Sequence, residues 1–474
     1  MIHEGFQPDF PPQVISDTLA MSAATSTDGV QDLRSLLWSS IDNTESRDLD
    51  QIEWAERKDD GRIRVLVGIA DVDAVVAANS ATDSHAKANA TSVYTGGPVF
   101  PMLPERLSTD LTSLGPGQDR RAIIMEFIVG ADGQVTCSDV CRAVVRNHAQ
   151  LNYDQVGNWL ESASPAASSP FNLPGLSEQL LLQREASVRL KAFRKEHGSL
   201  VFNEMENVPI VVNNTVHGFA MVKENAARDL IESFMVAANV AMAEHLRARN
   251  CLCLRRVVRT PKRWDRIQAL AAPLGVKLPD SPDARALNDF LTQRRAADPD
   301  HFPELSLGVL KSLGPGEYTV EHPGSEHEGH FALAVEDYTH STAPNRRYAD
   351  LTMQRLLKAC LAGSPAPFSE SALTDLAAHC TERETAARHV ERFMKKVAAA
   401  IMLAPQIGRI FDAMVTGVSP KGTFARLLTV PAEGRIMRGD RGLDVGDKIR
   451  VRLAGVDAGK GFIDLETVRG GALT

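Results

Sequence analysis

A short acidic segment holds the residues best suited to metal chemistry. Asp42, Asp48 and Asp50 fall within nine residues, beside apolar strand-like sequence. In an extended segment side chains two apart share a face, so Asp48 and Asp50 point the same way and Asp42 can join them across a turn. Carboxylates suit Mg²⁺, and paired ions can generate a hydroxide and stabilise a leaving oxygen. On this segment alone, a solvated acidic loop is the alternative.

Two adjacent arginines late in the chain could complement the acidic segment. Arg346 and Arg347 follow Pro344 and precede a helical pattern. A planar guanidinium can hold a phosphate that metal ions also contact, and it does so in a fixed orientation. Adjacent arginines more often form surface ion pairs, so the segment alone leaves both interpretations open.

The surrounding pattern predicts a mixed α and β domain that positions these residues. Residues 36–42 predict a strand, and residues 52–71 predict a β-hairpin around a turn at residues 59–61. Apolar spacing predicts amphipathic helices over residues 176–198 and 226–250.

After Pro405 the sequence changes to short β-branched runs separated by glycines. This pattern predicts a small barrel of the OB type, a fold that commonly binds single-stranded nucleic acid with basic and aromatic side chains. A protein-interaction or structural barrel is the alternative. The candidate contacts are Lys421, Phe424, Arg426, Arg435, Arg438 and Arg441.

The composition indicates the class of protein and its cellular compartment. The 474 residues, with 43% hydrophobic and 24% charged, predict a soluble multidomain protein. No apolar run approaches the roughly 20 residues of a membrane helix, and the first residues lack a signal sequence. We therefore expect a cytoplasmic protein without membrane association. The six cysteines form no CxxC pair, and in a reducing compartment we expect free thiols.

The net charge of −8 means that any nucleic acid must be held by local basic patches. The densest basic run starts at Arg255 and Arg256, which are candidate contacts to a phosphate backbone. The alternative is an edge strand that its charges keep soluble.

Four segments in order resemble the RNB catalytic domain of the RNase II/RNase R family of exoribonucleases. They are SIDNTESRDLDQ, VGIADVDAVV, TSVYTGGPVFPMLPERLSTDLTSLGPGQDR and HFALAVEDYTHSTAPNRRYADLTMQRLLKA. The C-terminal barrel resembles the OB-fold domain that ends these enzymes.

The resemblance implies an α+β multidomain fold. Its parts are an N-terminal arm or small cap (1–30), a mixed α/β RNB catalytic domain (31–404), an OB-fold RNA-binding domain (405–468) and a tail (469–474). It implies a 3′→5′ exoribonuclease that hydrolyses single-stranded RNA to nucleoside 5′-monophosphates with Mg²⁺ or Mn²⁺. We expect a monomer whose partner is RNA, with no protein partner evident.

The family's roles carry over where its motifs align. Asp42, Asp48 and Asp50 fall on the acidic metal positions, with Gln51 as a fourth ligand, and these aspartates and Arg346 are the implied catalytic residues. Arg346 matches the arginine that holds the scissile phosphate, and Arg347 beside it is an implied RNA contact.

Further RNA contacts are implied along the path of the strand. Tyr94 and Phe202 match two aromatics that stack on terminal bases, and Glu232 matches a carboxylate that senses the terminal ribose. Tyr153 and Glu382 match more weakly near the RNA path, and for Tyr153 core packing is an equal alternative.

Two departures from the family pattern leave alternatives open. Gln51 stands where relatives usually carry a fourth aspartate, and Asn345 stands where they usually carry isoleucine. An amide oxygen can still bind Mg²⁺ but adds no charge. A non-catalytic RNA-binding protein with the RNB fold, or a dedicated RNA 3′-end maturation nuclease, would also fit.

Overall fold

The computed structural model describes residues 1–162, 171–200, 202, 207–212, 215–221, 223–299, 301–322, 329–420 and 422–468. The predicted tail, 469–474, lies outside this range. The helices are α1 (Pro12–Ala20), α2 (Ala81–Asn89), α3 (Tyr153–Leu160), α4 (Leu176–Glu196), α5 (Ala226–Ala248), α6 (Trp264–Ala271), α7 (Ala284–Ala297), α8 (Phe302–Leu313), α9 (Tyr348–Leu361) and α10 (Glu370–Leu403).

The strands follow the chain in two groups, one in the larger α/β part and one in the C-terminal barrel. The first group is β1 (Gln31–Asp32), β2 (Trp38–Asp42), β3 (Gln51–Arg57), β4 (Ile63–Ala70), β5 (Val93–Tyr94), β6 (Val99–Phe100), β7 (Asp119–Val129), β8 (Val135–Asn152), β9 (Asn207–Val212), β10 (Thr215–Met221), β11 (Cys253–Val257) and β12 (Glu317–Glu321). The second group is β13 (Ile410–Ser419), β14 (Gly422–Leu427), β15 (Glu433–Arg438), β16 (Lys448–Asp457) and β17 (Phe462–Thr467).

A mixed sheet with strand order β1-β8-β2-β3-β4-β7 forms the centre of the catalytic part. The predicted hairpin is confirmed as the antiparallel pair β3 and β4. Helices α4 and α5 pack against the sheet. On α5, Leu230, Phe234, Ala237 and Ala241 recur at helical spacing and are all buried, so this apolar stripe attaches the helix to the core.

The sheet brings the acidic segment to one end of two neighbouring strands. Strand β2 ends at Asp42 and β3 begins at Gln51, with Ser39 paired to Glu53 across the antiparallel ladder. The connection between the strands therefore carries Asp48 and Asp50. The predicted proximity of these aspartates follows from this turn rather than from one continuous extended segment.

The first residues form an ordered cap. Phe6 and Val14 are buried, and the backbone amide of Gln7 donates to Asn89 Oδ1 at 2.9 Å. The Arg383 guanidinium donates to the Glu4 carbonyl at 2.7 Å and lies over the Phe6 ring. These contacts hold Glu4, Phe6 and Gln7 against helices α2 and α10.

The predicted barrel is confirmed: among the described residues, β13, β14, β15, β17 and β16 close on one another. Alternate residues of these strands, including Val451, Leu453 and Leu465, fill its centre. Ala400 and Leu403 at the end of α10 pack into the same core. The long helix therefore joins the barrel to the catalytic part through shared apolar packing.

Cysteine pairing corrects one expectation. Cys251 and Cys360 form a disulfide that links the region after α5 to the end of α9, whereas Cys141, Cys253 and Cys380 are free. The side chain of Cys137 is not among those described. The pair was missed because 109 residues separate its members and spacing alone does not reveal contact in space. None of the described helices is long and apolar enough to span a membrane.

Candidate active site

Asp50 lies at the centre of the candidate site. Its side chain is buried, and its Oδ1 accepts hydrogen bonds from the backbone amide of Asn345 at 3.1 Å and from Asn345 Nδ2 at 3.0 Å. Arg346 Nε lies 3.4 Å from Asp50 Oδ2. Burial raises the pKa of Asp50 to about 7, the Asp48 and Asp350 charges add to the rise, and Arg346 and Asn345 oppose it. The two segments predicted to act together are thus in contact.

Asp48 and Asp42 extend this negative region. Burial raises the pKa of Asp48, and the nearby Asp42 charge raises it further while Arg346 opposes the shift. Asp42 Oδ1 accepts hydrogen bonds from Ser46 Oγ at 2.8 Å and from the Asn43 amide at 2.7 Å, which fix the carboxylate in the turn. The site therefore concentrates negative charge that a single arginine only partly offsets.

The donor chemistry fits a hard divalent cation. Three carboxylates contribute oxygen atoms. Burial and a neighbouring carboxylate charge disfavour the charged forms of Asp48 and Asp50, a cost that a bound cation would remove. Among the described residues, however, no three His, Cys, Asp or Glu side chains are gathered closely enough to hold an ion as they stand. The ligand set of Asp42, Asp48, Asp50 and Gln51 stays a prediction. Gln51 itself is buried at the start of β3.

Tyr94 shares a cavity of about 200 Å³ with Arg346. Its backbone amide donates to Glu391 Oε1 at 3.1 Å, which fixes β5 against α10. Desolvation raises the pKa of the Tyr94 hydroxyl to about 12, with Arg346 opposing the shift and the Asp48 and Asp50 charges adding to it. The ring is partly exposed, so an aromatic face is available beside the arginine predicted to hold phosphate.

Phe202 and Glu232 line a different cavity, of about 520 Å³. Glu232 is exposed on α5, with its Oε1 3.8 Å from an Arg194 nitrogen, and Phe202 is half-buried. Basic side chains line the same cavity: Arg184, Lys191, Arg194, Lys195 and Arg295. Glu161, Glu224 and Asp229 line it as well as Glu232, so the cavity offers an aromatic ring, cations and carboxylates to a nucleic-acid strand.

The Arg228 guanidinium lies over the Tyr153 ring, 4.3 Å from the ring centre. Burial raises the pKa of its hydroxyl, and the Asp42 and Glu53 charges raise it further. Tyr153 is thus within electrostatic reach of the acidic segment, and both the RNA-contact and the packing interpretation stay open.

Several predicted contacts have other partners. Arg347 makes a bidentate pair with the fully buried Asp350, at 2.8 and 2.9 Å, although it lines the same cavity as Arg346. Glu382 pairs with Arg383 at 2.6 Å and lines a cavity with the N-terminal cap. Arg426 of the barrel pairs with Glu304 of α8. Phe424 is half-buried on β14, and Lys421 lies outside the described residues.

The structure corrects the interpretation of the basic run. Arg255 is 2% exposed and pairs with Glu321 and Asp337, and Arg256 is buried and pairs with Glu384 at 2.6 and 2.8 Å. Strand β11 lies inside the catalytic part, against α5, α9 and β12. Charges at this depth neutralise buried carboxylates, so neither guanidinium is placed to contact an RNA backbone.

Two elements of the site were not predicted. Asn345, noted only as a departure, orients Asp50, and Thr112 Oγ1 donates to Asn345 Oδ1 at 2.6 Å. The N-terminal cap forms one wall of a cavity of about 630 Å³, in which Phe10, Ile15 and Leu19 face Asp48 and Tyr94. No local signal in the sequence indicated either contact.

With this geometry in hand, the chain can be placed in a family. It matches the RNB domain over residues 30–363 and the RNase II-type exonuclease C-terminal S1 domain over residues 409–468. The chain therefore belongs to the RNB family, which confirms the resemblance drawn from the four motifs. An S1 domain is a barrel of the OB type, in agreement with the closed barrel described above.

Known relatives and solved structures are similar along most of the chain. Ribonuclease R 1 of Lactococcus lactis subsp. lactis (strain IL1403) is 29% identical over 435 residues, covering 88% of this chain and 52% of that protein. The chain spans about half the length of the curated relatives it matches.

RNase R of Mycoplasma genitalium, solved in complex with ribose methylated single-stranded RNA, superposes with a TM-score of 0.89 at 24% identity, covering 99% of this chain and 77% of that one. Yeast Ssd1, a pseudonuclease, superposes with a TM-score of 0.70 at 17% identity, covering 93% and 54%. These likenesses show the fold, which nucleases and a pseudonuclease share.

Proposed function

We propose that this protein is a 3′→5′ exoribonuclease that hydrolyses single-stranded RNA to nucleoside 5′-monophosphates with a divalent metal ion, Mg²⁺ or Mn²⁺. One observation carries the proposal: the buried Asp50 is held by Asn345 and lies 3.4 Å from the half-exposed Arg346 guanidinium. Membership of the RNB family and the RNA-binding character of a C-terminal S1 domain support it.

Asp42, Asp48 and Asp50 would hold the cation, which when bound supplies an activated water and stabilises the leaving 3′ oxygen. Arg346 neutralises the scissile phosphate through a bidentate guanidinium, whose planar donors match a phosphate edge. Tyr94 offers a face for a terminal base, and Glu232 offers an acceptor for ribose hydroxyls. Stacking tolerates any base, which suits an enzyme that advances along one strand.

A second candidate is a non-catalytic RNA-binding protein. The neutral Gln51 at the predicted metal position favours it, as does the shared fold with yeast Ssd1, a pseudonuclease. Both candidate functions predict RNA binding, but only the exonuclease predicts RNA hydrolysis.

End-labelled single-stranded RNA separates the two candidates. The purified protein should release a 3′ label at once as a mononucleotide, whereas a 5′ label should persist in progressively shorter products, and EDTA should stop both. Binding without any cleavage in Mg²⁺ or Mn²⁺ would establish the non-catalytic alternative, and early release of the 5′ label would reverse the polarity.

A further inference from the structure

Glu53 is the exception among the buried carboxylates of the described residues. Six of these seven groups contact an arginine or a lysine, and only Glu53 has no such contact. The seven are Asp50, Glu53, Asp71, Asp83, Glu321, Asp337 and Asp350.

In the described part of the chain, the Glu53 carboxylate also lacks hydrogen-bond partners. Glu53 is 0% exposed, and within the described part of the chain neither of its carboxylate oxygens has a hydrogen-bond partner. Ser39 lies opposite it across the ladder, is equally buried, and its hydroxyl also lacks a partner. An ionised carboxylate buried without a donor or a cation is strongly disfavoured, and no residue in the described part of the chain supplies a compensating charge for Glu53.

The position of Glu53 shows where that charge would come from. Gln51 and Glu53 are two residues apart on β3 and share one face of the strand. Ser39, which pairs with Glu53, lies on β2, and β2 ends three residues later at Asp42. Glu53 therefore lies near the acidic end of the sheet, on the same face of β3 as the uncharged Gln51.

We propose that Glu53 belongs to the divalent-cation site and supplies, from the next position on the same face of β3, the negative charge that Gln51 lacks. This inference rests on the proposed function for the existence of the cation site. It explains two observations together: a neutral residue at a predicted ligand position, and an otherwise uncompensated carboxylate beside it.

Mn²⁺ binding to the full chain without RNA, followed by electron paramagnetic resonance of free Mn²⁺, tests the proposal. Glu53→Gln keeps the shape but removes the charge, so Mn²⁺ affinity should fall about 10–100-fold. Adding Gln51→Asp to Glu53→Gln should recover most of that loss. The matched control is Glu56→Gln, on the same strand with its side chain 52% exposed, which should leave Mn²⁺ affinity unchanged.

Thermal melting separates a cation-site role from a structural one. In EDTA, Glu53→Gln should melt at or above the wild-type temperature, because an uncompensated charge is removed, and it should gain less from added Mn²⁺ than the wild type does. Equal Mn²⁺ affinity in wild type and Glu53→Gln, or a wild type that binds no Mn²⁺, would overturn the proposal. If Glu53→Gln does not fold, Glu53→Asp is used instead. Aspartate keeps the charge but shortens the side chain by one methylene group, so Mn²⁺ affinity should fall if Glu53 contributes to the cation site.

Hydrolysis is assayed separately. An inert wild type whose Mn²⁺ affinity depends on Glu53 would overturn the exonuclease proposal and support this one. An active enzyme whose Mn²⁺ affinity is the same with and without the Glu53 carboxylate would support the exonuclease proposal and overturn the proposal for Glu53.

Discussion

Asn345 donates two hydrogen bonds to one oxygen of Asp50, from its backbone amide at 3.1 Å and from its side-chain amide at 3.0 Å. The Thr112 hydroxyl in turn donates to Asn345 Oδ1, which fixes the orientation of the amide. Asp50 is therefore positioned by residues from two distant parts of the chain. This arrangement holds the carboxylate beside Arg346 before any substrate arrives.

Asn345→Asp should damage the site more than Asn345→Ala. The alanine variant loses one donor to a buried carboxylate, which should lower the free energy of unfolding by about 1–3 kcal/mol, as measured by urea denaturation in EDTA. The aspartate variant adds a like charge next to Asp50 and should be less stable still. Identical unfolding curves for wild type and Asn345→Asp would show that the contact has no energetic weight.

Arg346→Ala should lower turnover about 10²–10³-fold with little change in RNA affinity, because the guanidinium acts on charge that develops in the transition state. Arg346→Lys should restore little, since an ammonium cannot form the bidentate contact. Arg347→Ala is the control and should act on stability instead, because it leaves the buried Asp350 unpaired. Single-turnover rates and RNA titrations provide the comparison, and full rescue by lysine would contradict the assigned role.

In EDTA the stability of the wild type should fall as pH rises toward neutrality. The pKa of Asp50 is raised from 3.8 to about 7 in the folded protein, so the folded state binds this proton more tightly than the unfolded state. The contribution of Asp50 to stability is complete below the unfolded pKa and is lost as pH rises through about 7. Asp50→Asn should flatten the curve of unfolding free energy against pH. Parallel curves for the two proteins would mean that Asp50 does not titrate in this range.

The ion pairs of Arg255 predict a structural phenotype. Arg255→Ala leaves Glu321 and Asp337 without this cation in a buried site, which should cost about 3–5 kcal/mol of unfolding free energy. The dependence of RNA affinity on salt should not change in the folded fraction, because no phosphate contact is removed. A shallower salt dependence would restore the original prediction of an RNA contact.

The features that the sequence predicted correctly are local or periodic. Alternation and a glycine turn predicted the hairpin of β3 and β4, and the apolar spacing of Leu230 and Phe234 predicted the buried face of α5. What escaped prediction depends on contacts between distant segments. Asp50 and Asn345 are 295 residues apart, and Cys251 and Cys360 are 109 apart.

The basic run shows why charge alone misleads. Alternating basic and apolar residues predict an exposed strand, yet β11 is covered by α5, α9 and β12, and its arginines neutralise carboxylates from other segments. Burial of an arginine depends on where its partners lie in space. Glu53 shows the opposite situation: within the described part of the chain its carboxylate is buried without a hydrogen-bond partner, and the sequence of β3 does not predict this.

Asp50 is tested by comparing wild type and Asp50→Asn on one 5′-labelled single-stranded RNA, with hydrolysis measured in Mg²⁺ and Mn²⁺ and RNA binding measured in EDTA. The wild type should shorten the RNA stepwise. Asp50→Asn should lose hydrolysis and bind RNA with equal or higher affinity, because the stacking groups and the basic side chains are intact. Hydrolysis by Asp50→Asn at the wild-type rate would contradict the assignment of Asp50 to the active site.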